Sequence, residues 1–313
     1  MTKNEINREE ALELVNEPLE WLMDNGNRTR QEYCGNDFDI CTIINGKSGK
    51  CSENCKYCAQ SLFYKTMVDE YDLLSEQTII DTARENYEKG VLRYSIVTSG
   101  KRLSDKEVKA VSNIIRKIIE EVPGLKVCGS FGLLSLEQFA ELKDAGLSRV
   151  HNNLETSRRF FPEICTTHTF DEKISAICNA KQAGLSVCSG GIFGLGESME
   201  DRVDMAFTLR ELGVKSVPIN ILNPIKGTPF EKNRILSKEE IIRIIAIYRL
   251  ILKDATIRLA GGRGLLDDKG VTCFKAGANG AISGDMLTTS GITIERDLNM
   301  IKSLGMEVGL LNE

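Results

Sequence analysis

"SLEQFAELKDAGLSRVHNN" (residues 135–153) contains one full repeat of the pattern that decides the fold. Its first part is amphipathic at helical spacing. Gly146, followed by the apolar Leu147, reads as a left-handed glycine that stops a helix. "RVHNN" (149–153) then reads as a short strand. The same punctuation recurs at Gly90, Gly184 and Gly213, each followed by an apolar residue. Strand-like runs recur along the chain: "CTIIN" (41–45), "RYSIVTS" (93–99), "KVCGS" (126–130), "SVCSGG" (186–191), "SVPINIL" (216–222), "TIRLAGG" (256–262) and "GAISG" (280–284). With 149–153 these make eight strands separated by helical stretches.

That rhythm predicts a (β/α)8 TIM-type barrel over residues 39–313, preceded by a helical extension over 1–38, in a single domain. No Pro/Ser-rich linker or low-complexity segment interrupts it. A doubly wound open sheet is the rival architecture. In a barrel the active site lies at the C-terminal ends of the strands. Cys128, Cys188, Ser95 and Arg258 all fall within predicted strands, so inward-pointing side chains there would share one cavity.

The 313 residues are 42% hydrophobic and 27% charged, with a net charge of −5, as expected of an ordinary soluble globular protein. No basic stripe suggests nucleic acid. "MTKNEINREEALEL" lacks the apolar core of a signal peptide. "IIRIIAIYRLIL" (241–252) is too short to span a bilayer and carries Arg243 and Arg249, so it reads as a buried helix and no membrane partner is expected. Ten cysteines without a secretory signal imply reduced thiols in the cytoplasm. With only His151 and His168 available for imidazole chemistry, cofactor chemistry is the stronger expectation.

"CSENCKYCAQ" (51–60) places Cys51, Cys55 and Cys58 in a CxxxCxxC loop after the first strand. Structural zinc takes four ligands and disulfides take pairs. An iron–sulfur cubane held by three thiolates keeps one iron open for a small ligand. A zinc knuckle that borrows a distant cysteine is the alternative.

With Tyr57 before the last cysteine, the loop resembles the signature of the radical S-adenosylmethionine superfamily. There the fourth position is filled by S-adenosylmethionine, whose cleavage yields a 5′-deoxyadenosyl radical. "GKCSENCKYCAQS", "VHNNLETS", "VCSGGIFGLGE", "SVPINIL", "KGTP", "IRLAGGR", "CFKAGAN" and "LTT" follow in the order found in the biotin synthase family, so the resemblance covers most of the chain. It implies sulfur insertion into dethiobiotin, with a 4Fe–4S cluster on Cys51, Cys55 and Cys58 and sulfur from an auxiliary cluster.

By the same resemblance Cys128, Cys188 and Arg258 are auxiliary ligands. Tyr57, Asn153, Glu155, Lys173, Ile192 and Leu195 surround S-adenosylmethionine. Asn153, Asn220, Thr288 and Thr289 address the substrate, and Lys47 stands near the pocket mouth. A flavodoxin- or ferredoxin-type electron donor, iron–sulfur assembly proteins and a homodimer are also implied. The nearest rivals are related barrel enzymes of the hydrogenase-maturase or methylornithine-synthase type. A non-catalytic iron–sulfur or zinc protein is the rival from another class.

Three departures from the family stand out. Ser95 occupies the place of the third auxiliary thiolate, while Cys41 has appeared on the first strand. We therefore expect an auxiliary cluster on Cys41, Cys128 and Cys188, with a four-iron type favoured and 2Fe–2S the alternative. Glu155 replaces the usual Asp, and Lys173 the usual Arg, which turns a bidentate fork into a point charge. Cys34, Cys165, Cys178 and Cys273 read as small hydrophobes, with Cys34 near the auxiliary rim. His151 shares strand parity with Asn153, and His168 reads as a surface or loop residue. The glycines of "SGGIFGLGE" (189–197) do not match GxGxxG.

Overall fold

The computed structural model describes residues 5–288 and 291–312. Helices α1 (Arg8–Glu13) and α2 (Leu19–Cys34) precede strand β1 (Asp37–Lys47). Then follow α3 (Glu76–Glu88), β2 (Arg93–Thr98), α4 (Asp105–Glu121), β3 (Lys126–Ser130), α5 (Leu136–Asp144) and β4 (Arg149–His151). The short α6 (Phe161–Ile164) leads to α7 (Phe170–Gln182), β5 (Ser186–Cys188), β6 (Gly191–Phe193), α8 (Met199–Glu211), β7 (Ser216–Ile221) and α9 (Lys238–Ile251). The chain ends through β8 (Thr256–Leu259), α10 (Val271–Lys275), β9 (Gly280–Ser283), α11 (Ile294–Ser303) and β10 (Glu307–Val308).

All neighbouring strands are parallel, and β9 pairs back onto β1, so the sheet closes on itself. This is the eight-stranded barrel of the sequence reading, with the fifth strand in two pieces. Both pieces pair with β7, Cys188 opposite Ser216 and Gly191 opposite Ile219. The break has a steric cause: a Cβ on Gly190 would stand 2.0 Å from the Pro218 carbonyl oxygen. The β-strand backbones come too close there for any side chain.

The repeat is written into each helix end. Helices α4, α5, α7, α8 and α9 all open on a reciprocal capping box, with Ser104, Ser135, Thr169, Ser198 and Ser237 as the N-caps. Gly90, Gly146, Gly184 and Gly213 follow helices at φ of 90°, 100°, 79° and 63°, a region open to glycine without strain.

Strand parity divides the protein into two environments. Tyr94, Ile96, Val127, Val150, Val217, Ile219, Ile257 and Ala281 face outward into the hydrophobic layer between sheet and helices. The alternate residues face inward, and many are polar or thiol-bearing, among them Cys41, Arg93, Ser95, Cys128, Arg149 and Arg258. The apolar core therefore lies outside the barrel, and the barrel interior is kept for other work.

At its N-terminal end the interior is organised by Asp39, which is fully buried. Its carboxylate lies 3.0 Å from Arg258 Nη2, 3.4 Å from Arg93 Nε and 3.7 Å from Arg149 Nη1. Burial pushes the Asp39 carboxyl up, but the charges of Arg258, Arg93 and Arg149 outweigh it and hold it below the usual carboxylate range. The C-terminal segment closes this end. Strand β10 pairs with Asp37 and Phe38, and Arg149 Nη2 donates to the carbonyls of Leu311 and Asn312.

Removing one member of a buried ionic group leaves its partners without their counter-charge. Asp39→Asn is expected to destabilise the cluster-free protein by about 3–5 kcal/mol in urea denaturation. A loss under about 1 kcal/mol, the scale of a surface ion pair, contradicts this reading of the barrel floor.

Candidate active site and its ring of cysteines

A cavity of about 410 Å³ runs down the barrel interior. Its deep end is lined by Cys41 of β1, Ser95 of β2, Cys128 of β3, Cys188 of β5 and Arg258 of β8. Parallel register brings them together: Ser95 stands opposite Cys128, and His151 opposite Cys188. The rest of the lining includes Cys51, Tyr57 and Cys58 from the loop after β1, with Asn153, Glu155, Lys173, Ile192, Asn220 and Thr288. One cavity thus joins the cysteine loop to the cysteine ring.

Each ring thiol has a cation beside it. Arg93 Nη1 donates to Cys128 Sγ at 3.5 Å. Cys188 accepts from Ser216 Oγ at 3.2 Å and pairs with His151. Burial opposes charge on Cys188, but the hydrogen bond and charge of His151, with Arg258 and Arg149 behind, hold its thiol down to about 6. Cys41 lies next to Arg258, yet burial dominates and pushes its thiol up to about 12. A soft cation that accepted Cys41 would displace that proton, as metals do with thiol ligands.

The other end of the cavity is built from the segments after β4 and β5. Asn153 Oδ1 accepts from the backbone N–H of Gly190 at 3.1 Å, while its amide points to Glu155 Oε2 at 3.4 Å. Glu155 has φ of 73°, a left-handed conformation that side chains rarely adopt. Such backbone strain concentrates at functional sites. Burial raises the Glu155 carboxyl even with Lys173 and His151 nearby. Asn220 donates to the Gly191 carbonyl at 3.1 Å and accepts from Gly261 N–H at 3.0 Å, bridging three strand ends across the mouth.

Some expected residues stand elsewhere. Cys55 turns from the cavity toward Cys165, with Sγ atoms 3.7 Å apart. Lys47 is engaged by Glu107 at 2.6 Å and is not part of the lining. Leu195 is buried in the hydrophobic layer outside the cavity. Thr289 lies outside the described residues. Cys34 bonds the Lys253 and Ala255 carbonyls and Arg249, away from the auxiliary rim.

Two readings hold in part. His168 lies in the loop between α6 and α7, as expected, but not at the surface: it is buried, with Nδ1 3.3 Å from Cys165 Sγ and 2.6 Å from Glu53 Oε2. Cys165 is buried in the hydrophobic layer, as expected, but its thiol also meets Cys55 and His168. The ring of Phe161 packs edge-on against His168 and covers it. Asp39, Arg93 and Arg149 were not anticipated either, although they share strand parity with Cys41, Ser95 and His151.

A parallel (β/α)8 barrel with a three-cysteine loop after its first strand defines the class. Residues 47–209 match the radical SAM superfamily, and residues 218–307 match the Biotin and Thiamin Synthesis associated domain. Among solved structures, methylornithine synthase superposes with a TM-score of 0.85 at 20% identity, over 98% of this chain and 95% of its own. A FeFe-hydrogenase maturase from Carboxydothermus hydrogenoformans gives 0.84 at 17%, over 97% of this chain and 76% of its own. These two share the fold.

The relatives by sequence are more specific. Biotin synthase of Clostridium botulinum is 56% identical over 97% of this chain and 95% of its own length. That of Brachyspira hyodysenteriae is 56% identical over 98% and 92%, and that of Akkermansia muciniphila 55% over 96% and 94%. The chain belongs to the biotin synthase family. Membership implies a 4Fe–4S cluster with S-adenosylmethionine and an auxiliary iron–sulfur cluster. The donors present fit both groups. Three thiols stand on one loop, and three more line a cavity floor among buried arginines, a surround suited to an anionic thiolate-bound cluster.

In cluster-free protein, alkylation of Cys188 should rise with pH through a midpoint of about 6. His151→Ala should move that midpoint up toward the ordinary thiol range. A wild-type midpoint already in that range contradicts the imidazolium–thiolate pair.

Proposed function

We propose that this chain converts dethiobiotin to biotin within the cavity described, acting as a single domain. The observation that carries the proposal is the continuity of that cavity from Cys51 and Cys58, through Asn153 and Asn220, to Cys41, Cys128, Cys188 and Arg258. When bound, the cofactors supply a 5′-deoxyadenosyl radical and a sulfur atom. The protein supplies placement.

Cys51, Cys55 and Cys58 are assigned to the radical-generating cluster, which asks Cys55 to swing its Sγ away from Cys165. Cys41, Cys128 and Cys188 are assigned to the auxiliary cluster, with Arg258 as a ligand or neighbour and the four-iron type favoured. Tyr57, Glu155 and Lys173 hold S-adenosylmethionine by its polar groups, and Ile192 adds apolar contact. Asn153 and Asn220 present amide donors and acceptors of the kind that recognise a cyclic urea. Thr288 and Thr289 are assigned to the substrate carboxylate. Enclosure within the barrel keeps water from a reactive carbon radical.

The finer assignments are a reductant of the flavodoxin or ferredoxin type, help from iron–sulfur assembly proteins, a homodimer and a cytoplasmic setting. The ten cysteines are all free thiols, as a reducing compartment requires. Among the described residues no helix is long and apolar enough to cross a membrane.

Placing sulfur between two carbons breaks two C–H bonds, and each requires one radical. Protein reconstituted anaerobically with iron and sulfide, then given S-adenosylmethionine, reductant and dethiobiotin, should form biotin with two 5′-deoxyadenosine per product. 5′-Deoxyadenosine without biotin, from protein with filled clusters, rejects the substrate. Asn153→Ala should lower kcat/KM by roughly 10–100-fold, the equivalent of about 1.5–3 kcal/mol of hydrogen bonding.

A further inference from the structure

Behind the cysteine loop, Cys55, Cys165 and His168 bring three metal-ligating groups to one point. Cys55 Sγ lies 3.7 Å from Cys165 Sγ, and Cys165 Sγ lies 3.3 Å from His168 Nδ1. These three donor atoms all fall within 4.8 Å of one another. Glu53 Oε2 is 2.6 Å from the same His168 nitrogen. Tetrahedral zinc has Zn–S bonds of about 2.3 Å and Zn–N bonds of about 2.0–2.1 Å. Simple trigonometry on those bonds places sulfur pairs about 3.8 Å apart and sulfur–nitrogen pairs about 3.6 Å apart. The measured spacings already approach both values.

The site is also held in place. Glu53, Cys165 and His168 are each buried. Thr167 Oγ1 donates to Glu53 Oε2 at 2.8 Å and fixes the carboxylate. Asn54 Oδ1 accepts from Thr166 N–H at 2.9 Å, and Lys56 N–H donates to the Ile164 carbonyl at 2.9 Å. These bonds stitch the two loops that carry the donors, so an ion needs little reorganisation to bind. Among the described residues no other group of histidine, cysteine or carboxylate donors converges this tightly.

We propose that Cys55, Cys165 and His168 form a mononuclear site for a thiophilic divalent cation of the zinc type, available in the cluster-free chain. Two thiolates and one imidazole nitrogen supply three ligands, water takes the fourth position, and any proton on the three ligand atoms leaves on binding, so that His168 gives up its hydrogen bond to Glu53. The site stands on geometry alone. One consequence rests on the functional reading above: because the radical cluster also needs Cys55, ion and cluster exclude one another.

Cobalt(II) is the probe, since tetrahedral thiolate coordination gives it strong absorption. Cluster-free full-length protein titrated anaerobically with cobalt should show one equivalent bound with thiolate-to-cobalt charge-transfer bands. Cys165→Ala and His168→Ala should each reduce the stoichiometry by one, with circular dichroism confirming the fold. The double variant Cys51→Ala/Cys58→Ala should keep that equivalent, which separates this site from the three-cysteine loop. Unchanged stoichiometry in folded Cys165→Ala or His168→Ala, or loss in the double variant, overturns the proposal. One equivalent of zinc added before iron and sulfide should remove the radical cluster's share of the growing iron–sulfur spectrum in wild type, leaving the auxiliary cluster's share, and should remove nothing in Cys165→Ala. Equal blocking in both proteins overturns the exclusion. Biotin formation does not enter any of these readouts, so failure of the functional reading remains separate.

Discussion

The Asp39 carboxylate and the guanidinium groups of Arg93, Arg149 and Arg258 occupy the N-terminal floor of the barrel, where each of the four is at most 2% exposed. Buried charge is costly unless it is paired and hydrogen-bonded. Here the ionic contacts converge on one carboxylate, while backbone carbonyls take further protons: Arg258 Nη1 donates to the Asp39 and Ala281 carbonyls, and Arg149 to those of Leu311 and Asn312. The fold tolerates this interior because its apolar contacts lie elsewhere, between the outer face of the sheet and the helices. The consequence is a cationic floor under three thiols. At Cys188 that surround, with His151, holds the thiol down, while at Cys41 burial outweighs it and the proton leaves only when a cation takes the sulfur.

The same parity rule places the reacting groups in order. Residues one step further along the strands, and the loops beyond them, carry Asn153, Asn220 and Glu155, and the cysteine loop stands past these. Nothing in this layout requires a moving lid, since strand ends and glycine-mediated close approaches at 190 and 191 fix the geometry. The strained backbone of Glu155 sits in the middle, bridged to Gly191. A carboxylate in a forced conformation is a sign of placement taking precedence over local stability.

Most of the architecture was legible because the repeat carries its own stop chemistry. A glycine in the left-handed region closes the helix, and a short apolar run follows. The break at residues 189–190 was not legible, because it follows from the contact between Gly190 and Pro218, two strands that pair only in space. The cysteine ring was found from strand membership and family resemblance together. The arginine cluster was missed because charged residues in a sequence usually mark a solvated face, and only closure of the barrel turns Arg93 and Arg149 inward. The polar contacts of Cys165 and the burial of His168 were missed because their partners Cys55 and Glu53 lie more than a hundred positions away. Lys47 sat at the right strand end, but Glu107 of the next capping box competes for its ammonium.

The central claim is that the ring at the barrel floor holds the auxiliary cluster through Cys41 in place of residue 95. Mössbauer spectroscopy of protein reconstituted with isotopically enriched iron tests it directly, in wild type, Cys41→Ala and Ser95→Ala. The account predicts signals from two clusters in wild type and Ser95→Ala, and loss or change of the auxiliary signal in Cys41→Ala. A Cys41→Ala spectrum identical to wild type would contradict it.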